Sequence, residues 1–105
     1  FLTNYTRQDA VTLNLERASQ ASIDIAAHLV RANKLGIPQT TRELFKLLEE
    51  KKYITQETSI NMQKMVGFRN IAVHDYQTLN IDIIIHILKF HLKDFTNYID
   101  EILKI

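Results

Sequence analysis

No cysteine occurs in this chain of 105 residues, which excludes disulfides and thiolate-held metal. Two glycines and one proline are too few for an all-β fold, whose tight turns need more. No apolar run approaches the ~20 residues of a membrane span, and no signal-peptide pattern opens the chain. These absences fit a reducing compartment and predict a cytoplasmic protein without a membrane anchor. Neither sign of charge dominates. A formal net charge of +1 argues against strong nonspecific attraction to nucleic acid, so any RNA or nucleotide site must be a local basic patch.

What is present is ordinary for a globular domain: 46% hydrophobic and 24% charged residues, without repeats or low-complexity stretches. A chain of this length forms one domain over 1–105 and buries roughly two-thirds of its unfolded surface. Because it begins at Phe1, a further N-terminal segment is expected ahead of it.

Hydrophobic periodicity predicts an all-α antiparallel bundle with four helical segments. The first runs from about Arg7 to Lys34 with an apolar or small stripe through Leu15, Ala18, Ser22, Ile25, Ala26 and Leu29. Gly36 is its expected C-terminal stop, and Pro38 prevents continuation. Thr40 and Glu43 have capping-box spacing and open a second helix, which carries Leu44, Leu47 and Leu48 to Lys51 and Lys52. Thr55 is the expected N-cap of a third helix. Gly67 within it implies either close backbone approach or a local bend. The fourth is expected from Ile81 to Lys104, with Leu88, Leu92, Phe95, Ile99 and Ile102 on its core stripe. Ile83, Ile87 and Phe90 then fall on the opposite side and require a second cover, either a further N-terminal helix or a second protomer, and of the two a homodimer is expected.

Chemistry concentrates in "RNIAVHDY", residues 69–76. It brings together a permanent cation (Arg69), a group that titrates near neutrality (His74) and a phenol (Tyr76). On one helix Arg69 and Tyr76 share a face, whereas Arg69 and His74 diverge by about 140°. Either the helix bends or ends inside the motif, or the site combines residues from two chains. Such a set suits RNA cleavage without metal. Histidine serves as acid or base for a ribose 2′-OH attacking the adjacent phosphate, and arginine steadies the developing charge. Asn70 can add a hydrogen bond and Asp75 can orient His74. Asn14, Arg17, Asp24 and His28 form a polar stripe on the first helix that either faces the same cleft or is simply solvated. His86 and His91, five apart, have poor spacing for a shared metal and read as surface or boundary histidines. No metal or cofactor is expected.

The pattern R-x-x-x-x-H-x-Y, with "NLERASQASIDIAAHL" (14–29), "MVGFRNIAVHDY" (65–76) and the long helix that follows, resembles the HepT toxins of the HEPN superfamily. The likeness spans essentially the whole chain, apart from a further N-terminal helix usual in that family. It implies a bundle of four to five helices, a homodimer and a metal-independent ribonuclease toxin, with Arg69 and His74 lining a cleft between protomers. It also implies a minimal nucleotidyltransferase (MNT) antitoxin as partner, which silences the toxin by AMP transfer to Tyr76. Two other classes share the same residues. One is a nucleotide-binding module in which Arg69 grips phosphate without cleavage. The other is a structural helical dimer serving as a subunit of the nucleotidyltransferase complex.

Overall fold

The computed structural model describes residues 5–74, 86–87 and 91–105, with side chains over 10–70, 86–87 and 91–105. Four helices stand in it: α1 Tyr5–Ala32, α2 Thr41–Glu50, α3 Gln56–His74 and α4 Leu92–Ile102. The described residues contain no strand, and no helix among them is long and apolar enough to cross a membrane.

Local sequence explains where the helices start. Thr40 adopts an extended conformation and its Oγ1 accepts the Glu43 N–H at 3.3 Å. The Glu43 carboxylate reaches back to the Gln39 N–H at 2.8 Å, one residue before the expected capping-box partner. Thr55 caps α3 by accepting the Thr58 N–H at 3.1 Å. Glu101 of α4 accepts the Thr55 N–H at 2.6 Å and the Thr58 hydroxyl, so a carboxylate sits at the positive end of α3 and ties it to α4.

The helix ends depart from expectation. Lys34, not Gly36, takes the left-handed position after α1 (φ 53°), with Leu35 N–H bonded to Val30 C=O and Lys34 N–H to Arg31 C=O. Lys52 repeats the arrangement after α2 (φ 63°), through bonds from Tyr53 to Leu48 and from Lys52 to Glu49. Both are Schellman closures built on lysine. Gly36 has another task. At φ 149° it passes so close to Leu47 that a Cβ would lie 3.0 Å from a leucine methyl.

The core draws on all four helices. Phe45 and Leu48 of α2, Met62 of α3 and Ala26 of α1 are almost fully buried. Tyr98 of α4 stands at the centre, edge-on to Phe45 at 5.7 Å, and its hydroxyl donates to the Ser22 carbonyl at 3.0 Å. Burial pushes the Tyr98 phenol far above its ordinary value. Ser19 and Ser22 are buried too, each hydroxyl donating to the carbonyl four residues earlier at 2.8 Å.

The fourth segment corrects the sequence expectation. It is not one unbroken helix, because a turn at His91 (φ −124°, ψ −4°) precedes α4. With that turn the inward face becomes Ile87, Asp94 and Tyr98, while Leu92 (45% exposed) and Ile99 (37%) face outward. Ile87, assigned from periodicity to an outer face, belongs to the chain's own core. Its burial therefore needs no second protomer. Ile83 and Phe90 lie outside the described residues.

Candidate functional site

α3 continues without interruption from Gln56 to His74, so the backbone does not break between Arg69 and His74. Positions 69 and 74 on that helix lie about 140° apart around its axis. The side chain of His74 and all of Asp75 and Tyr76 lie outside the described residues.

Arg69 is half-buried, and its enclosed Nε has no hydrogen-bond partner among the described residues. A guanidinium with an unmet donor in a low-dielectric setting is a poor structural element and a good anion receptor. Asn70 beside it is exposed and available. Asp24 is exposed on α1 and accepts a hydrogen bond from Gln20 at 2.8 Å, one turn earlier. Among the described residues it has no ion pair with His28, the partner its spacing suggests.

Gly67 shows what sequence reasoning missed. A Cβ at that position would lie 3.0 Å from a guanidinium nitrogen of Arg42, the second residue of α2. The helix runs unbroken through Gly67, and what lies against it is the exposed guanidinium of Arg42. Gly67 and His74 are seven residues apart, hence on nearly one face of α3 and about 10 Å apart along it. Arg42 therefore places a second cation on the helical face that carries His74. The glycine was the only sequence signal for it.

A wide groove of about 860 Å³ lies elsewhere, lined by Lys51, Lys52, Tyr53, Thr55, Glu101 and Lys104 among others. It opens at the start of α3, roughly 20 Å along the helix from Arg69. The anion position there is already taken by Glu101. The groove is therefore not part of the motif site.

Comparisons with known proteins bear on the chain as a whole. A family model described as ribonuclease HepT-like matches residues 1–102. An mRNA nuclease HepT of Shewanella oneidensis is 54% identical over 102 residues, covering 97% of this chain and 77% of that protein. A tRNA nuclease HepT of Aphanizomenon flos-aquae is 26% identical over 102 residues, covering 97% and 69%. Among solved structures, the tri-AMPylated Shewanella oneidensis HEPN toxin in complex with MNT antitoxin superposes with a TM-score of 0.91. It is 52% identical, with 98% of this chain and 77% of that one covered. A toxin–antitoxin complex with AMP-PNP gives a TM-score of 0.92 at 51% identity, over 98% and 78%. The four-helix frame, the uninterrupted motif helix and these matches together make this chain a member of the ribonuclease HepT-like family.

Proposed function

We propose that this protein is a cytoplasmic toxin of a HEPN/MNT toxin–antitoxin pair, of the type VII kind, and an endoribonuclease that needs no metal. Arg69 and His74 carry the reaction at a cleft between two protomers. The observation behind this reading is the unpartnered Nε of half-buried Arg69, five positions before His74 on a continuous helix.

The chemistry is a transesterification. A base removes the proton of the ribose 2′-OH, the freed oxygen attacks the adjacent phosphorus, and the bond to the 5′ oxygen breaks. That leaving oxygen takes a proton from an acid, giving a cyclic phosphate and a free 5′-hydroxyl. Imidazole can perform either transfer near neutral pH. The planar fork of Arg69 holds two phosphate oxygens as charge builds on them. Asn70 adds a donor, Asp75 orients His74, and Asp24 supports the cleft from α1. Arg42 supplies a further phosphate contact on the His74 face.

Silencing follows from the same geometry. The MNT partner transfers AMP to the hydroxyl of Tyr76, expelling pyrophosphate from ATP. Seven residues from Arg69, Tyr76 then carries a bulky anion on the arginine's own face and competes with substrate. The tri-AMPylated HEPN toxin found at 52% identity supports this mode of control.

The test is cleavage of purified mRNA and tRNA by the homodimer in EDTA, before and after incubation with the MNT partner, ATP and Mg²⁺. Cleavage in chelator that is lost on AMP transfer is the expected result. Nucleotide binding without cleavage of either RNA would favour the binding module instead.

A further inference from the structure

His86 and His91 are more than boundary histidines. His86 lies in a helical stretch with Ile87, and His91 is the N-cap residue of α4. Their Nε2 atoms lie 3.3 Å apart and their ring centres 5.1 Å apart, with planes inclined by 49°. A head-on N–H···N bond at that separation would put the ring centres about 5.6 Å apart. Two imidazoles converging on one ion, with arms of about 2.1 Å and a tetrahedral angle, bring their nitrogens to about 3.4 Å and ring centres to about 5.2 Å. The observed distances match those of two imidazoles sharing one ion, and equally those of a bent N–H···N bond. The angle between planes is left free by rotation about each arm.

The remaining nitrogen of His91 is already committed. Nδ1 lies 2.9 Å from Oδ2 of Asp94, a carboxylate only 5% exposed, whose Oδ1 accepts from the Asn61 amide of α3 at 3.3 Å. A carboxylate only accepts, so Nδ1 carries the proton and the Nε2 lone pair points at His86. A buried carboxylate that fixes the tautomer and angle of an imidazole is the outer support of a metal-bound histidine. Five-residue spacing suits a shared ion poorly on an unbroken helix, but the turn at His91 changes the direction of its side chain.

We propose that His86 and His91 bind one divalent transition-metal ion of the zinc class, with Asp94 as the positioning residue for His91. Among the described residues no third histidine, cysteine or carboxylate joins the pair. Imidazole ligands select zinc, nickel or copper over magnesium. A bound ion would tie His86 to the first turn of α4.

The experiment is calorimetric titration of the full chain with zinc chloride near neutral pH, with magnesium chloride as comparison. One zinc per chain at micromolar affinity is expected, with X-ray absorption reporting two imidazole nitrogens at about 2.0 Å. His86→Gln, with its fold checked by circular dichroism, should bind at least tenfold more weakly. Asp94→Asn should also weaken binding, by about tenfold. Full-strength zinc binding by His86→Gln, or no saturable heat from the unaltered chain, would overturn the site. Unchanged affinity in folded Asp94→Asn would overturn the role of Asp94. Because the RNA assay is run in EDTA, which strips this ion, neither experiment decides the other.

Discussion

Arginine and lysine carry the same charge but not the same shape, and Arg69 tests the difference. A planar fork satisfies two phosphate oxygens at once, whereas an ammonium acts as a point charge. Arg69→Lys should therefore lower the single-turnover cleavage rate by roughly 10²-fold, the scale of losing one oriented donor at a developing charge. Full activity in the lysine variant would reduce Arg69 to an electrostatic role. His74→Ala should abolish cleavage while the circular dichroism stays helical. Tyr76→Phe should retain nuclease activity but accept no AMP, read by peptide mass. Equal modification of that variant would move the acceptor to Tyr5 or Tyr53. Tyr98 is a poor acceptor, since it is fully buried with its hydroxyl bonded to Ser22. Its raised pKa has a separate consequence. An unfolded chain ionises this phenol near pH 10, and the folded chain holds it neutral, so the stability it contributes is complete below pH 10 and declines above. Tyr98→Phe should cost about 1 kcal/mol at neutral pH and flatten the alkaline decline in urea titrations.

The two lysine-closed helix ends make a prediction about elements. A non-glycine residue in the left-handed region costs on the order of 1 kcal/mol relative to glycine, partly offset by the greater freedom of glycine in the unfolded chain. Lys34 and Lys52 each bear that cost. Lys52→Gly should raise unfolding stability by several tenths of a kcal/mol to about 1, seen as a higher urea midpoint with unchanged slope. Gly36→Ala should do the reverse, since its φ of 149° and the Leu47 methyl both oppose a side chain. At the start of α3, Glu101→Ala would strip the N-terminus of its carboxylate and its tie to α4, and α3 carries the motif.

At the scale of the whole molecule, the outward face of α4 sets the expectation for assembly. Leu92, Ile99 and Leu103 are exposed, and Phe95 and Ile102 are only partly covered. A second copy of the chain docking here would bury this face. Ile99→Asp should then shift the protein to monomers by light scattering, with its helix content kept, and cleavage should fall with the dimer. A persistent dimer would place the contact elsewhere. Ile87→Glu should behave differently. Ile87 is 6% exposed in the chain's own core, so an unpaired carboxylate there should unfold the protein rather than merely dissociate it.

Local chemistry alone determined much of this protein. The few glycines, the apolar periodicity, and the Thr40 and Thr55 caps specify four helices in order, because helix formation and capping depend on neighbours three and four residues apart. The motif was legible for the same reason: its residues lie close together on one stretch of chain. Tertiary structure decided which faces point inward and what meets across helices. Periodicity marked Leu92 and Ile99 as core, but the turn at His91 and the fit of Tyr98 between Phe45 and Ser22 set the register, and a rotation of part of a turn exchanges one apolar face for another. Asp94 could go inside only because His91 and Asn61 satisfy its carboxylate, and Asn61 lies more than thirty residues away in sequence. Arg42 against Gly67 and the paired imidazoles of His86 and His91 depend likewise on how the chain folds back or turns. Linear spacing carries no record of such meetings, because they are fixed by packing between segments rather than within them.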